Sequence, residues 1–214
     1  ACTSTDLKPM FKSYFLTAYR SLTRNKTYSI INIAGLGVSI ASCLILFYII
    51  RYELSFDTFH KNHERIYRIV NEVQFDDGMD YGEGVPAPLP QAVRMDFPQL
   101  QEVATILSIP DSQIDVLNGQ QNEEITFKED LGVFFAEPQF FRIFDFEWLH
   151  GSPLSLLEPN TVVLTQEIAE KYFDDWRKAI GRSLEYRNSE VLKVTGILKN
   201  ISAPTDFPLK VVIS

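Results

Sequence analysis

Cysteine is scarce in this sequence of 214 residues, which contains only Cys2 and Cys43. Cys43 lies inside a long apolar segment and Cys2 lies before it, so we expect the two thiols to occupy different environments. A structural disulfide between them is therefore not expected, and residues 44–214 must be stabilised by packing without disulfides. With so few cysteines, their usage does not indicate which compartment the chain occupies.

Positive charge is also scarce over most of the chain. The formal net charge is −8; residues 1–26 carry +4 and residues 27–50 carry none, so residues 51–214 carry −12. Binding to the phosphates of nucleic acids requires clustered lysine and arginine. The acidic character of residues 51–214 therefore argues against nucleic acid as a partner.

Signatures of catalysis and nucleotide binding are missing as well. The sequence contains neither a G-x-x-x-x-G-K-S/T phosphate loop nor a G-x-S-x-G nucleophile elbow. Adjacent carboxylates occur at Asp174-Asp175 and Glu123-Glu124, but neighbours on a strand or helix point apart, so neither pair suits acid–base chemistry. The sequence predicts a chain without enzymatic activity and without a cofactor.

Two groups of residues resemble metal sites only weakly. His60 and His63 are spaced to reach one ion, but no cysteine accompanies them, and a third ligand would have to come from Asp57 or Glu64. Three aspartates hint at calcium, but their spacing does not fit an EF-hand loop; they are Asp76, Asp77 and Asp80. We interpret the histidines as exposed linker residues and the aspartates as a polar turn, and predict no metal site.

The chain does contain one long uncharged run, the 24 residues 27–50. A membrane-spanning helix needs roughly 20 apolar residues. A secretory signal peptide is the main alternative, but its apolar core is only about 7–15 residues long and small residues follow it. Bulky residues follow here, from Phe47 to Tyr52. We therefore predict an uncleaved transmembrane helix over 27–50.

The charges flanking this run predict its orientation. Only Arg51 is basic directly after the run, whereas five basic residues precede it: Lys8, Lys12, Arg20, Arg24 and Lys26. The positive-inside rule places residues 1–26 in the cytoplasm and residues 51–214 outside. Four apolar side chains in the tail share one helical face, which predicts a basic amphipathic helix at the inner surface: Phe11, Phe15, Ala18 and Leu22. This helix either lies on the anionic lipid leaflet or packs on a cytoplasmic partner.

Small residues form a stripe along the predicted transmembrane helix. Gly35, Ser39 and Cys43 recur every four residues and therefore share one face, with Gly37 and Ala41 beside them. Small side chains let a second helix approach closely in lipid, so this face is a candidate helix-packing surface. Alternatively, the stripe reflects only the general abundance of glycine and alanine in such helices.

Residues 51–214 alternate strand-like and helix-like segments, which predicts an α+β domain with a mixed or antiparallel sheet. Asp57 is a candidate N-cap, Asp77-Gly78 a hairpin turn, residues 111–121 a polar loop, and Gly196 a bulge or close contact. The predicted strands are 65–75, 102–109, 124–130, 131–136, 161–165, 179–186 and 190–200. The predicted helices are 89–100 (broken near Pro98), 138–146 and 166–173. The chain stops within an apolar, strand-like run, 209–214, so we expect a fragment of a longer protein.

The order of these segments resembles the N-terminal region of MacB/FtsX-type ABC-transporter permeases. The resemblance is carried by residues 15–70 together with three later segments, 134–160, 161–173 and 179–200, and it spans nearly all of residues 11–207. It implies a cytoplasmic amphipathic helix, a first transmembrane helix and a periplasmic domain like the core of MacB, with two lobes. Such a protein resides in the bacterial inner (plasma) membrane.

The resemblance also implies partners. They are a cytoplasmic ABC ATPase subunit, a second permease subunit in a dimer, and a periplasmic adaptor or lipoprotein. In this family, ATP hydrolysis changes the conformation of the outer domain and drives efflux or lipoprotein and envelope export. The sequence lacks the family's C-terminal helices and any ATPase domain, which agrees with the expectation of a fragment.

Two alternatives remain open from the sequence. The first is a single-span, membrane-anchored receptor or sensor ectodomain without enzymatic activity, although only about 26 residues precede the span, too few for a signalling domain. The second is a membrane-anchored envelope enzyme, which would require a convergent reactive cluster that the sequence does not display.

Overall fold

The computed structural model describes residues 7–76, 78–82, 84–117 and 124–214. The chain divides into two compact units, Ala1–Ser55 and Phe56–Ser214. Residues 56–214 form a single unit, so the two lobes implied by the resemblance are not separated as compact units.

The first unit consists of two helices, α1 (Leu7–Arg24) and α2 (Lys26–Glu53). They meet at Asn25, where the hydroxyl of Ser29 donates a hydrogen bond to the Leu22 carbonyl across 3.0 Å. The 28 residues of α2 are long and apolar enough to cross a membrane, and its apolar window is fully exposed. At 1.5 Å per residue, α2 is about 42 Å long. It includes the whole predicted run 27–50.

The second unit contains the remaining elements. Its strands are β1 (Asn71–Phe75), β2 (Gly78–Gly82), β3 (Ile106–Ser108), β4 (Ser112–Leu117), β5 (Glu124–Glu129), β6 (Val133–Ala136), β7 (Trp148–His150), β8 (Thr161–Thr165), β9 (Ser183–Tyr186), β10 (Glu190–Leu198) and β11 (Val211–Ile213). Its α-helices are α3 (Leu89–Asp96), α4 (Phe140–Ile143), α5 (Gln166–Phe173) and α6 (Trp176–Ala179). Single 3-10 turns lie at His63–Arg65 and Pro153–Leu156.

Within the described residues, β3 to β11 form one mixed sheet in the order β3-β6-β11-β8-β10-β9-β4-β5, with β7 paired to β10. The pairs β6–β11 and β8–β10 are parallel and the others antiparallel, which confirms the predicted α+β class. The sheet curves strongly: Phe135 of β6 contacts Tyr186 of β9, with ring centroids 5.6 Å apart, although three strands lie between them. The hairpin β1–β2 is a separate two-stranded sheet.

Each face of the large sheet carries its own apolar core. Alternate residues of β6, β8 and β11 face α5 and α6, where Ile168, Ala169 and Tyr172 are buried. The other residues of the same strands face α4 and an aromatic cluster that contains Phe140, Phe141 and Phe146. Because both faces are covered, all five residues of β8 are buried. This explains its unbroken run of β-branched and apolar residues.

Gly196 confirms both properties predicted for it. The register of β10 against β8 shifts between Val194 and Gly196, so Thr195 is an extra residue. The shift lets both Val194 and Ile197 enter the same core, although they are three residues apart. A Cβ atom at position 196 would lie 2.7 Å from the Trp148 ring, so only glycine fits beneath it.

The predicted loop at 111–121 is wrong over its first part. Ser112–Leu117 is strand β4, which pairs with β5 on one side and β9 on the other, and Ile114 and Val116 are buried. Their alternation with polar residues was a strand signal that the overall polarity of the segment concealed. Residues 118–121 lie outside the described residues.

Other predicted boundaries shift by a few residues. The strand predicted at 65–75 begins only at Asn71, and the one at 102–109 is reduced to Ile106–Ser108. The predicted turn joins β1 to β2, with Gly78 in the ladder and Asp77 outside the described residues. The helix predicted at 89–100 ends at Asp96, close to the break predicted near Pro98, and α5 matches its prediction.

Candidate functional site

We call the second unit, residues 56–214, the outer domain after its predicted side of the membrane. Asp57, four residues after α2 ends, fastens the start of this domain to the rest of it. The Asp57 carboxylate accepts hydrogen bonds from the Thr205 hydroxyl at 2.5 Å and from the Asp206 amide at 3.1 Å. The Asp57 amide donates to the Pro204 carbonyl at 3.1 Å. Asp57 was predicted to cap a helix; instead, with φ of +54°, it joins the post-helix turn to the loop that leads into β11.

His60 is the centre of this junction, and its side chain is fully buried. Its Nδ1 accepts a hydrogen bond of 3.0 Å from the Asp145 amide. The Asp145 carboxylate in turn accepts one of 2.8 Å from the Lys61 amide. The prediction that both linker histidines are exposed is therefore wrong for His60, whereas His63 is exposed.

Aromatic rings enclose His60. Its ring centroid lies 4.0 Å from that of Phe59 and 5.0 Å from those of both Phe144 and Phe146. Phe146 belongs to the aromatic core beneath the sheet, so His60 connects the post-helix turn to that core. We call the set Asp57, His60, Asp145 and Thr205 the docking cluster.

Burial determines the ionisation of His60. Desolvation lowers the pKa of His60 below its ordinary value of 6.5, outweighing the nearby carboxylates of Asp57 and Asp145, while His63 lowers it further. The ring is therefore neutral at pH 7. Because Nδ1 accepts from an amide, the proton lies on Nε2, which is 3.7 Å from the Asp57 carboxylate.

This ionisation predicts a loss of stability in mild acid. With a lower pKa in the folded chain, the unfolded chain binds more protons once the pH falls through 6.5. The contribution of the neutral His60 ring to the free energy of unfolding is complete above pH 6.5. It is lost as the pH falls towards the pKa of His60 in the folded chain. We expect His60→Asn to lose less stability than the wild type between about pH 7 and 5.5. Thermal unfolding of the full chain in detergent tests this, and equal pH slopes would contradict it.

The small-residue stripe of α2 lies on an exposed surface. Ser39 donates its hydroxyl to the Gly35 carbonyl at 2.9 Å, and Cys43 is a free, exposed thiol. A Cβ atom at Gly35 or Gly37 would meet nothing within 4 Å, and Ala41 is exposed as well. The face is open to a second helix, and its role in packing stays a prediction.

The described residues cover the remaining candidate sites only in part. In the described part of the chain, no three histidine, cysteine or acidic residues are grouped to hold a metal ion. Asp77 and Glu123, which belong to the calcium and carboxylate candidates, lie outside the described residues. Asp174 ends α5 with φ of +64°, whereas the Asp175 carboxylate caps α6 by accepting from the Arg177 amide at 2.9 Å. The two neighbours therefore serve separate helix ends.

Sequence reasoning missed the docking cluster as a site. Its members come from three parts of the chain, and Asp145 lies 85 residues after His60. The available signal was the spacing of Phe56 and Phe59, three residues apart with His60 beside them, among polar residues directly after α2. This pattern indicates a turn with a buried side rather than a free linker.

Comparison with known proteins agrees with this architecture. The family of MacB-like periplasmic core domains matches residues 29–213, which include most of α2 and nearly all of the outer domain. A comparison with curated proteins finds no match.

Two crystal structures match part of the chain. One, described as a domain of a permease protein from Porphyromonas gingivalis, has 18% identity and a TM-score of 0.46, covering 58% of this chain and 55% of that one. The other, the periplasmic region of MacB from Actinobacillus actinomycetemcomitans, has 13% identity and a TM-score of 0.40, covering 58% and 54%. The matched part therefore spans about half the length of these structures. On the family match over residues 29–213, the chain belongs to the family of MacB-like periplasmic core domains.

Proposed function

We propose that this chain is the N-terminal part of a permease subunit of a MacB/FtsX-type ABC transporter. The carrying observation is the single family match that includes both α2 and the outer domain. In this proposal, α2 crosses the bacterial inner membrane with the basic tail in the cytoplasm and the acidic domain in the periplasm. A partner ATPase hydrolyses ATP on the cytoplasmic side, and the chain itself acts mechanically without catalysing a reaction.

The docking cluster supports this mechanical role. A segment that passes on movement must be held firmly to the domain it moves, because a loose linker absorbs displacement. The turn at 57–61 is held at both sides, to the loop at 204–206 through Asp57 and to Asp145 through His60 and Lys61. The loop at 204–206 leads through residues 207–210 into β11, whose three residues are buried between β6 and β8 in the sheet. Displacement of the turn would therefore reach the centre of the outer domain.

Purification of the full-length native protein from its own membranes tests the proposal. We expect a cytoplasmic ABC ATPase to co-purify, together with a second permease subunit, and ATP turnover to require this chain. The nature of the transported molecule, an efflux substrate or a lipoprotein, follows from what the intact complex exports. A preparation with no ATPase would overturn the proposal and favour the receptor or sensor ectodomain.

A substitution in the small-residue stripe tests whether α2 pairs with a second permease subunit through this face. Gly35→Leu places a large side chain where a partner helix would approach, and we expect it to weaken association of the full chain in detergent by about 1–2 kcal/mol. Cross-linking or sedimentation measures this association. The control is Ile40→Phe, which adds bulk about 100° around the helix from both Ser39 and Ala41 and should have little effect. Unchanged association of Gly35→Leu would remove this face from the contact.

A further inference from the structure

Positively charged side chains cluster around one pocket of the acidic outer domain. A cavity of about 260 Å³ opens beside β5 and α5 and extends to α6 and to Arg182, which follows α6. Three cationic side chains line it, against the single carboxylate of Asp174: Lys171, Lys178 and Arg182. The lining thus carries a net charge of +2, although residues 51–214 together carry −12. An anion is therefore attracted to this pocket more than to the surrounding surface.

The wall of the pocket is aromatic. Phe127, Tyr172 and Phe173 line it, and the rings of Phe127 and Tyr172 lie 4.4 Å apart between centroids. The Lys171 ammonium lies over both rings, 5.4 Å from the first centroid and 5.8 Å from the second. A ligand that reaches Lys171 must therefore also contact apolar ring surface.

A buried carboxylate fixes the position of Lys171. Glu129 is only 2% exposed and accepts hydrogen bonds from Lys171 at 2.5 Å, Lys210 at 3.0 Å and the Tyr172 hydroxyl at 3.2 Å. Burial alone would raise the pKa of Glu129, but the hydrogen bonds and charges of the two lysines lower it, so it is ionised at pH 7. The single negative charge of Glu129 thus pairs with two ammonium groups. Lys171 is half-exposed and has further N–H donors that can bind a ligand.

The other two cations have no carboxylate partner of their own. Lys178 and Arg182 are exposed, and neither forms an ion pair within the described residues. By contrast, Arg177 pairs with Asp175 at 3.6 Å. A planar guanidinium binds a carboxylate through two parallel hydrogen bonds, which an ammonium cannot do.

We propose that this pocket binds a small organic anion, with its carboxylate between Lys171, Lys178 and Arg182 and its apolar part against the aromatic wall. The volume lies below the roughly 300–1,000 Å³ of sites for drug-sized ligands, so the ligand is small. The combination of an apolar wall with two kinds of cation favours an aryl or alkyl carboxylate over inorganic phosphate. This binding site is independent of the proposed transport function.

Titration calorimetry of the full chain in lipid nanodiscs tests the site, with benzoate as the probe and benzamide as its neutral isostere. We expect saturable benzoate binding that is at least about tenfold tighter than that of benzamide, because a charge-assisted contact is lost. Arg182→Gln and Lys178→Gln should each weaken benzoate binding about tenfold. Both side chains are exposed, so these variants should fold normally, and an unchanged thermal unfolding profile confirms it.

The matched control is Lys128→Gln, which removes the same charge from the opposite face of β5 and should leave benzoate binding unchanged. All variants share the same lipid background, so partition of benzoate into lipid cancels in the comparison. Absence of saturable binding, equal affinity for benzamide, or unchanged affinity of the folded Arg182→Gln variant would each overturn the proposal.

Discussion

His60→Ala is expected to lower the free energy of unfolding of the outer domain by about 3–4 kcal/mol. The substitution empties a fully buried site enclosed by the rings of Phe59, Phe144 and Phe146. It also leaves the Asp145 amide without the Nδ1 acceptor it now uses. Loss of ring packing and of a buried acceptor act in the same direction.

Urea unfolding of the full chain in detergent, followed by the fluorescence of Trp148 and Trp176, measures this effect. The control His150→Ala removes an exposed imidazole from β7 and should change stability by less than about 0.5 kcal/mol. His60→Asn retains an acceptor near the position of Nδ1 but loses the ring, so we expect an intermediate value. A loss below about 1 kcal/mol for His60→Ala would mean that the docking cluster contributes little to stability.

Gly132→Ala should also lower the free energy of unfolding, by about 3 kcal/mol or more. Gly132 has φ of +99°, which side chains rarely adopt. A Cβ atom there would lie 2.7 Å from the Pro208 carbonyl oxygen, a backbone atom that cannot easily move away. The Gly132 carbonyl also accepts hydrogen bonds from the amides of Lys210 and Val211, so a shift would disturb the entry of β11 into the sheet.

Gly181→Ala is the matched control for this prediction. Gly181 has a similar φ of +78°, but a Cβ atom there would meet nothing within 4 Å. We therefore expect Gly181→Ala to lower the free energy of unfolding only through the strain of its left-handed backbone, by about 1–2 kcal/mol. The same unfolding measurement gives both values. Equal losses for the two variants would show that steric contact with Pro208 does not contribute.

The sequence predicted best those elements whose local signals agree with their tertiary environment. Strand β8 is a run of β-branched and apolar residues, and α5 has its buried residues at helical spacing, so both were placed correctly. Strand β4 was missed because Ser112, Gln113 and Asp115 make it polar, and its strand state depends on pairing with β5 and β9. Such pairing between distant segments leaves little trace in local composition.

The candidate site was less predictable than the fold. His60 looked like a linker residue because it follows the membrane helix closely and stands among charged neighbours. Its burial depends on Phe144 and Phe146, which lie more than 80 residues later in the sequence. Similarly, the carboxylate of Asp57 binds Thr205 and Asp206, which come from the far end of the chain. Only the three-dimensional fold brings these residues together.

Hydrogen exchange in the native complex, with and without ATP, tests mechanical coupling most directly. The amides of Lys61, Asp145 and Asp206 are among those that donate hydrogen bonds to side chains of the docking cluster. If α2 passes movement to the outer domain through this cluster, ATP turnover should change the exchange rates of all three together, and His60→Ala should abolish the change. Identical exchange of these amides with and without ATP, while the partner ATPase is turning over, would contradict coupling through the docking cluster.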